Sequence, residues 1–337
     1  MTPPVSAIVV NHRSAAEAAA CVESLREAFA AEAPGGEVVL VDCASGDEEV
    51  RALEAIPADT HVFLPDNRGY SGGVNAGLAR ARSARLILAN ADVEFRRGAV
   101  SALLAVVERP EVGAAAPLSF WDAGDRLRLP AESPTGFRAQ LGREPFAPFA
   151  RRQLQLWERG GDARHLSGAV LAARRDVFDR VGRFDERFLF EWEETEWEDR
   201  VRRAGLRLRF VPRARVRHLY ARSSVRNPET ERRRAASRRL YRERRWGRVG
   251  RAILERARAP VPHELPRLDE PALPAREGAW AAVSTSPSLV PFAGALLDTE
   301  LRLPQDVLAS LPAGRIYLRA FRAADGQALE THFWEKP

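Results

Sequence analysis

Polar residues punctuate this 337-residue chain at the points where apolar runs stop. Asn90-Ala91-Asp92 closes the run Leu86-Ile87-Leu88-Ala89. A carboxylate delivered to the carboxyl end of a buried strand can hold a divalent cation, and the cation can hold a phosphate. Ligands of open α/β sheets gather at that edge. Asp42 closes a second run, Glu37-Val38-Val39-Leu40-Val41. It can accept hydrogen bonds from a base or a ribose, or make a turn with Ser45. Asn11 closes the first run, and no Gly-x-Gly-x-x-Gly follows it, which argues against a nicotinamide or flavin site. Between these lies Asn67-Arg68-Gly69-Tyr70-Ser71-Gly72-Gly73-Val74-Asn75-Ala76-Gly77. A glycine-rich segment that opens a helix brings backbone N–H groups close to a ligand. It can also serve tight packing alone. It lacks the Gly-Lys-Ser/Thr ending that the β/γ-phosphates of ATP require.

A second carboxylate cluster runs from Asp185 to Asp199, and it is interleaved with Phe and Trp. Desolvation and mutual repulsion raise carboxyl pKa values in such a setting, which suits a general base. The competing reading is a solvated acidic helix face paired with Arg200, Arg202 and Arg203. On a helix Glu193 shares a face with Trp197, and Glu194 with Glu198, so these acids cannot all face one pocket. His218 ends a later apolar stretch; a lone histidine there is more often structural than a ligand.

The elements that must position these groups alternate. Residues 5–10, 37–42, 61–64 and 85–90 read as strands, and residues 15–31, 71–84 and 97–108 as helices. The order predicts a mostly parallel sheet with helices on both faces. Residues 121–162 lose periodicity at Pro130, Pro134, Pro145 and Pro148 and read as a long lid or mobile insertion. A strand is expected over 165–171, a helix over 191–204 that stops at Gly205, and a strand over 206–211. Residues 229–259 read as a basic helix or helix pair with Trp246, Val249, Ile253 and Ala257 on one face. Residues 259–274 look like a proline-rich linker, and 279–334 like a small β-rich unit.

Composition excludes several classes. No run of 18 apolar residues exists to span a membrane. The first residues carry no secretory signal pattern, and two cysteines build neither a disulfide framework nor a Cys-based metal site. A reduced cytoplasmic setting is expected. All but one of the basic residues are arginine; Lys336 is the exception. From Arg222 to Arg258 there are 14 arginines against four glutamates, a net of +10, whereas the whole chain carries +6. The rest of the chain is therefore acidic. This segment suits anionic lipid headgroups or polyphosphate, or is a solvated helix that closes the domain. Only Tyr241 and Trp246 interleave with its arginines, so nucleic acid is not the expected partner.

Taken in order, the motifs resemble those of family 2 glycosyltransferases of the GT-A fold, in particular the bacterial rhamnosyltransferase-like members. They are Ile8-Val9-Val10-Asn11; Val41-Asp42 with Ala44-Ser45; Asn67-x-Gly69 with Gly72-Gly73-x-Asn75-x-Gly77; Asn90-Ala91-Asp92; Gly168-Ala169; Phe184-Asp185-Glu186-x-Phe188; Glu193-Glu194-x-Glu196 with Arg200 and Gly205; and His218. The resemblance covers residues 5–224. It implies a nucleotide-sugar donor held along the sheet edge by Asn11, Asp42, Asn67, Gly69, Gly73, Asn75 and Asn90, with Asp42 on the base. It implies a divalent metal, Mn²⁺ or Mg²⁺, held by Asp92 with His218 on the other side. Glu194, beside Glu193, matches the carboxylate that takes the acceptor's proton. The family usually has Glu-Asp at this pair, so Glu194 reaches one methylene further.

The reading is an inverting transferase. It moves rhamnose or a related hexose from a nucleotide diphosphate sugar to a hydroxyl of a polysaccharide or lipid-linked glycan, at the cytoplasmic face of the membrane. The alternative is a binding module of the same fold without turnover. The expected divisions are residues 1–225 for the transferase domain, 226–262 for the basic helical segment and 263–337 for a linker and accessory unit.

Overall fold

A computed structural model of the chain describes residues 2–141, 146–219, 228–256, 265–289 and 292–337. The first half alternates strand and helix: β1 (Ser6–Asn11), α1 (Ala15–Glu32), β2 (Glu37–Cys43), α2 (Asp47–Glu54), β3 (Thr60–Leu64), α3 (Gly69–Leu78), β4 (Arg85–Asn90), β5 (Val93–Phe95) and α4 (Ala99–Val107). The middle continues with β6 (Val112–Phe120), α5 (Phe137–Gln140), α6 (Phe146–Arg159), β7 (Gly161–Ala163), β8 (Val170–Arg174), α7 (Arg175–Val181), α8 (Glu193–Arg203), β9 (Arg207–His218) and α9 (Pro228–Arg256). Last come β10 (Ala272–Leu273), β11 (Ala279–Ser284), β12 (Ala293–Leu296), β13 (Leu301–Arg302), α10 (Gln305–Ser310), β14 (Gly314–Arg322) and β15 (Ala328–Lys336).

Nine strands form the main sheet in the order β3-β2-β1-β4-β8-β6-β9-β5, with β7 also on β9. β3, β2, β1, β4, β6 and β9 run one way; β8, β5 and β7 run the other. The sheet is thus mixed with mostly parallel strands, as the alternating pattern predicts. Both faces are covered, which is why the central strands read as unbroken apolar runs. Ile8, Val39, Val41, Leu86 and Leu88 pack to one side with Val74 and Leu78 of α3. Ala7, Val9, Leu40, Ile87 and Ala89 pack to the other with Val22 and Leu25 of α1 and Leu103 of α4. Helix α3 lies close on β1 because Gly73 and Gly77 have no side chain. A Cβ would come within 2.5 Å of Val10 at the first and 2.3 Å of Ile8 at the second.

Two expectations need correction. Residues 121–162 are not an unstructured lid: they contain α5, α6 and the start of β7; Ala131, Leu154, Leu156 and Trp157 are buried in the main core, and Leu129 in the cluster under the C-terminal sheet. Pro148 misled the reading. It sits in the first turn of α6, where its missing N–H costs nothing. Strand β6 carries no clear alternation because it is buried along its whole length, and Pro117 borders a shift of register against β9. The single apolar face expected around Trp246 is broken, because Gly247 adopts φ 69° and kinks α9. Trp246 packs edge-on against Phe137 and Tyr241, whereas Val249 and Ile253 remain exposed. Ala257 and residues 220–227 lie outside the described residues.

The C-terminal β-rich expectation holds as a four-stranded antiparallel sheet, β12-β11-β14-β15. Its Trp280 and Phe321 join the main core through α6, with ring centroids 5.3 Å apart for Trp157–Trp280 and 5.2 Å for Phe146–Phe321. Much of the arginine charge of α9 is spent inside the fold. Arg244 pairs with Asp185 at 2.6 Å and Glu196 at 3.3 Å, Arg234 with Glu191 at 3.0 Å, and Arg245 with Asp199 at 3.4 Å. The acidic cluster and the basic helix, legible separately in the sequence, neutralise each other across this contact.

Candidate active site

Parallel register brings three strand ends to one edge: Asn11 lies opposite Asp42, and Val10 opposite Asn90. The Asn11 amide donates to Asp42 Oδ1 at 2.9 Å, and its own carbonyl oxygen is buried with no hydrogen-bond partner among the described residues. Asp42 also accepts from the backbone N–H of Ser45 at 2.9 Å and from its hydroxyl. The turn-forming role and an outward role on a ligand are therefore compatible only through the remaining lone pairs of this carboxylate.

His12, which sequence reasoning did not single out, ties these ends together. Its Nδ1 lies 2.9 Å from the Cys43 carbonyl, and its Nε2 lies 3.2 Å from the Asn67 amide. Burial holds its pKa below the ordinary value. A neutral ring donates at Nδ1 and accepts at Nε2, which fixes the Asn67 side chain. No motif announces this residue; only the pairing of β1 with β2 reveals it.

The glycine segment is placed less by ligand chemistry than by packing. Gly69 has φ 67°, and a Cβ there would meet the Leu189 carbonyl at 2.4 Å. Its N–H is taken by Asn67 Oδ1 at 2.9 Å. Gly73 sits under Val10 and Cys43. The Asn75 amide donates to Phe184 O and Glu186 Oε1, both at 2.9 Å, and its carbonyl accepts from Phe184 N at 3.2 Å. Asn75 thus clamps the loop that leads into α8.

Asp92 and His218 are neighbours. β5 pairs with β9 so that Val93 faces His218, and Leu219 N donates to the Asp92 carbonyl at 3.0 Å. The side chains approach to 3.3 Å between Asp92 Oδ1 and His218 Nε2, and both are buried. Among the described residues no group of three or more His, Cys, Asp or Glu could hold a metal alone. The Asp92 carboxylate suits a cation that shares its remaining positions with a diphosphate and water, and the imidazole adds a nitrogen donor of the kind transition metals accept.

Glu194 stands at the same edge from the far side. Because β8 runs antiparallel to β4, its start faces the end of β4, and Asn90 N donates to Ala169 O at 2.9 Å. The preceding Gly168 packs on Glu194: a Cβ there would lie 3.1–3.2 Å from the Cβ, Cγ and Cδ of the glutamate. Helix α8 is fixed beneath by Glu198, which accepts from Leu166 N at 3.0 Å, and by Trp197, whose Nε1 donates to Gly182 O at 3.0 Å. It enters through two residues with positive φ, Glu191 at 60° and Trp192 at 73°, a conformation costly for side chains of this size. Trp192 is held by stacking on Tyr241 at 4.9 Å.

The two acids differ. Burial, then the adjacent Glu194, raises the Glu193 pKa well above the ordinary carboxyl value. Burial raises Glu194 to about 7, with Glu191 adding to the rise, while backbone N–H groups of Glu194, Thr195 and Gly168 draw it back. Each carboxyl keeps one buried oxygen, Oε2, without a hydrogen-bond partner among the described residues. Two like charges this close do not both ionise readily. The arrangement therefore supplies one proton-holding acid and one base poised near neutrality.

A mixed α/β sheet thus brings polar strand ends, a carboxylate–imidazole pair and a tuned carboxylate toward one edge. The glycosyl transferase family 2 model matches residues 6–182, so the chain belongs to that family and is a glycosyltransferase. It is 32% identical over 213 residues to an N-acetylglucosaminyl-diphospho-decaprenol L-rhamnosyltransferase of Mycobacterium tuberculosis, covering 57% of this chain and 69% of that protein. It is 25% identical over 218 residues to the low-salt glycan biosynthesis hexosyltransferase Agl10 of Haloferax volcanii, covering 62% of this chain and 64% of that protein. Among solved structures it is similar to the mannosyltransferase PcManGT from Pyrobaculum calidifontis in complex with GDP-Man and Mn²⁺. That match has a TM-score of 0.46 and 18% identity, and it covers 77% of this chain and 66% of the other. A match to GalNAc-T7 with UDP, GalNAc and Mn²⁺ has a TM-score of 0.48 and 18% identity, over 65% of this chain and 44% of that one.

Proposed function

We propose that this chain transfers rhamnose or a related hexose, with inversion, from a nucleotide diphosphate sugar to a hydroxyl of a lipid-linked glycan. The reading is supported above all by one connected path: Asp92 follows Asn90, Asn90 N is bonded to Ala169 O, and Gly168 lies against Glu194. That path supports a reading in which the donor edge and the base flank one reaction centre. Asn11, Asp42 and Asn67 hold the nucleoside side of the donor, and Asn90 lies at the turn toward the diphosphate. Asp92 and His218 would hold a divalent cation, whose charge would offset the negative charge of the departing diphosphate.

Glu194 takes the proton of the acceptor hydroxyl as the hydroxyl oxygen bonds to the anomeric carbon. The bond from that carbon to the diphosphate oxygen breaks, and its electron pair leaves with the nucleoside diphosphate. Glu193, which retains its proton, leaves Glu194 as the single anion of the pair. A nucleophile and a leaving group on opposite sides invert the anomeric centre.

A lipid-linked acceptor is favoured by the name of the mycobacterial relative. Among the described residues no helix is long and apolar enough to cross a membrane. The surface proposed to meet an anionic membrane from the cytoplasmic side is the arm of α9 beyond Gly247. Val249 is 75% exposed there and Ile253 49%, beside Arg248, whose side chain is 88% exposed. An exposed apolar pair flanked by arginine suits an interfacial helix. The test of the function is transfer by the purified chain across a panel of nucleotide diphosphate sugars with Mn²⁺ or Mg²⁺, with Glu194→Gln alongside.

A further inference from the structure

Two adjacent clefts lie away from the donor edge, and the reaction described above makes no use of them. One, of about 180 Å³, is lined by Arg164, Arg202 and Arg245, with Glu132, His165 and Tyr241 among its other walls. The second, of about 500 Å³, is lined by Arg151, Arg152 and the same Arg164, and shares Glu132 with the first. The smaller cleft lies below the several hundred Å³ that enclose a drug-sized ligand. It takes a group, not a whole molecule.

The chemistry of the walls selects an anion. Five guanidinium groups face three carboxylates. Asp199 pairs with Arg202 at 2.7 Å and with Arg245 at 3.4 Å. Glu132 lies 3.7 Å from Arg152 and accepts from Arg164 N at 2.9 Å. Asp325 is the third. Among the described residues these guanidinium groups outnumber the carboxylates near them, and the buried Arg202 Nε has no hydrogen-bond partner there. Burial pushes the His165 pKa down to about 4; Arg202, Arg245 and Arg164 act in the same direction and Asp199 against them. A planar guanidinium fork matches phosphate oxygens in pairs.

Position ties the clefts to the acceptor and not to the donor. Arg202 lies on α8 eight residues beyond Glu194, about 12 Å along the helix axis at 1.5 Å per residue. His165 is bonded through Nδ1 to Glu198, one turn from Glu194, at 3.2 Å, and lies three residues before Gly168. An acceptor whose hydroxyl meets Glu194 therefore extends its far end toward these arginines, across a span of the order of a sugar ring and its phosphate link.

We infer that the arginine-lined clefts formed by Arg151, Arg152, Arg164, Arg202 and Arg245 are the subsite for the phosphate or diphosphate group of the acceptor. The inference rests on the transferase reading given above. It explains why a chain with a single lysine places arginines from α6, α8, α9 and the approach to β8 around one space.

The test is a calorimetric titration of the whole chain with inorganic pyrophosphate in EDTA, where a metal-dependent donor site does not compete. Wild type and Asp92→Asn should bind alike, and Arg164→Ala and Arg151→Ala should each bind roughly tenfold more weakly, as expected for loss of a charge-assisted contact. With a water-soluble sugar diphosphate acceptor, the same two variants should raise the acceptor KM by a similar factor and leave donor hydrolysis by water unchanged. The sugar diphosphate should also bind more tightly than pyrophosphate; equal affinities would mark a site for free phosphate and overturn the acceptor assignment. Equal pyrophosphate binding by wild type and both arginine variants would overturn the anion site itself. Absence of turnover with every donor would count against the transferase reading, and the metal-free titration would still decide whether the arginines bind phosphate.

Discussion

Gly168→Ala isolates the contact that places the base. The added Cβ would sit 3.1 Å from Glu194 Cγ and 3.2 Å from its Cβ and Cδ. Ordinary carbon contacts begin near 3.5 Å, so about 0.3–0.5 Å must be found. The backbones on either side are held. Ala169 is bonded to Asn90, Glu198 anchors α8 to Leu166, and Trp197 is fully buried. The side chain of Glu194 is the part that yields, at an off-rotamer cost of about 0.5–1.5 kcal/mol. A 1 Å misplacement of a catalytic group can cost about a hundredfold, so a shift of this size should lower kcat roughly three- to tenfold. The Gly168 N–H also helps to draw the Glu194 pKa down, so a displaced carboxylate should move the ascending acid limb of the rate profile to higher pH. Initial rates of transfer across pH, with the donor KM and thermal unfolding measured in parallel, check this. A variant with unchanged kcat, an unchanged limb and unchanged stability would refute the placement of Glu194 against Gly168.

In the wild type, kcat/KM should rise about tenfold between pH 6 and the plateau near pH 8. A base with a pKa of about 7 is only roughly one-tenth ionised at pH 6; a flat profile would exclude Glu194 as the titrating base. Stability runs the other way. The folded pKa of Glu194 lies above the ordinary carboxyl value of 4.5, so the folded state binds the proton more tightly, and this contribution is full below pH 4.5 and falls as the pH rises toward 7. Asp92→Asn should weaken Mn²⁺ binding in the presence of nucleoside diphosphate by at least tenfold, read by electron paramagnetic resonance; unchanged binding would remove Asp92 from the metal. Val249→Ser combined with Ile253→Ser should reduce co-sedimentation with vesicles rich in phosphatidylglycerol several-fold, at unchanged transfer to a water-soluble acceptor. Equal sedimentation of variant and wild type would remove the α9 arm from the membrane reading.

The polar edge of the sheet was legible because period and order determine it. Apolar runs separated by helical stretches imply parallel strands, and parallel strands put Asn11, Asp42 and Asn90 on one side. Glu194 was legible as a candidate from its aromatic and acidic surroundings. Its tuning depends on the approach of Gly168 from a strand that runs the opposite way, which no local pattern encodes. β6 stayed hidden because a strand buried on both faces has no alternation, and its proline sits beside an irregularity in the sheet. The prolines of residues 121–162 looked like breaks, yet Pro148 lies within the first turn of α6. The charge of α9 looked like a free basic surface, yet Arg234, Arg244 and Arg245 answer acids about 40 to 60 residues earlier in the chain. The arginine clefts draw on residues from 151 to 245, and their convergence is a property of the fold alone.

The central claim is that Glu194 removes the acceptor proton in a transfer from a nucleotide diphosphate sugar. It is tested most directly by comparing wild type and Glu194→Gln in single-turnover transfer with the donor that the panel selects. The account predicts a loss of about 10²–10⁴ in the rate of transfer, as expected for removal of a general base, with donor affinity within twofold of wild type. Transfer by Glu194→Gln at the wild-type rate would contradict it.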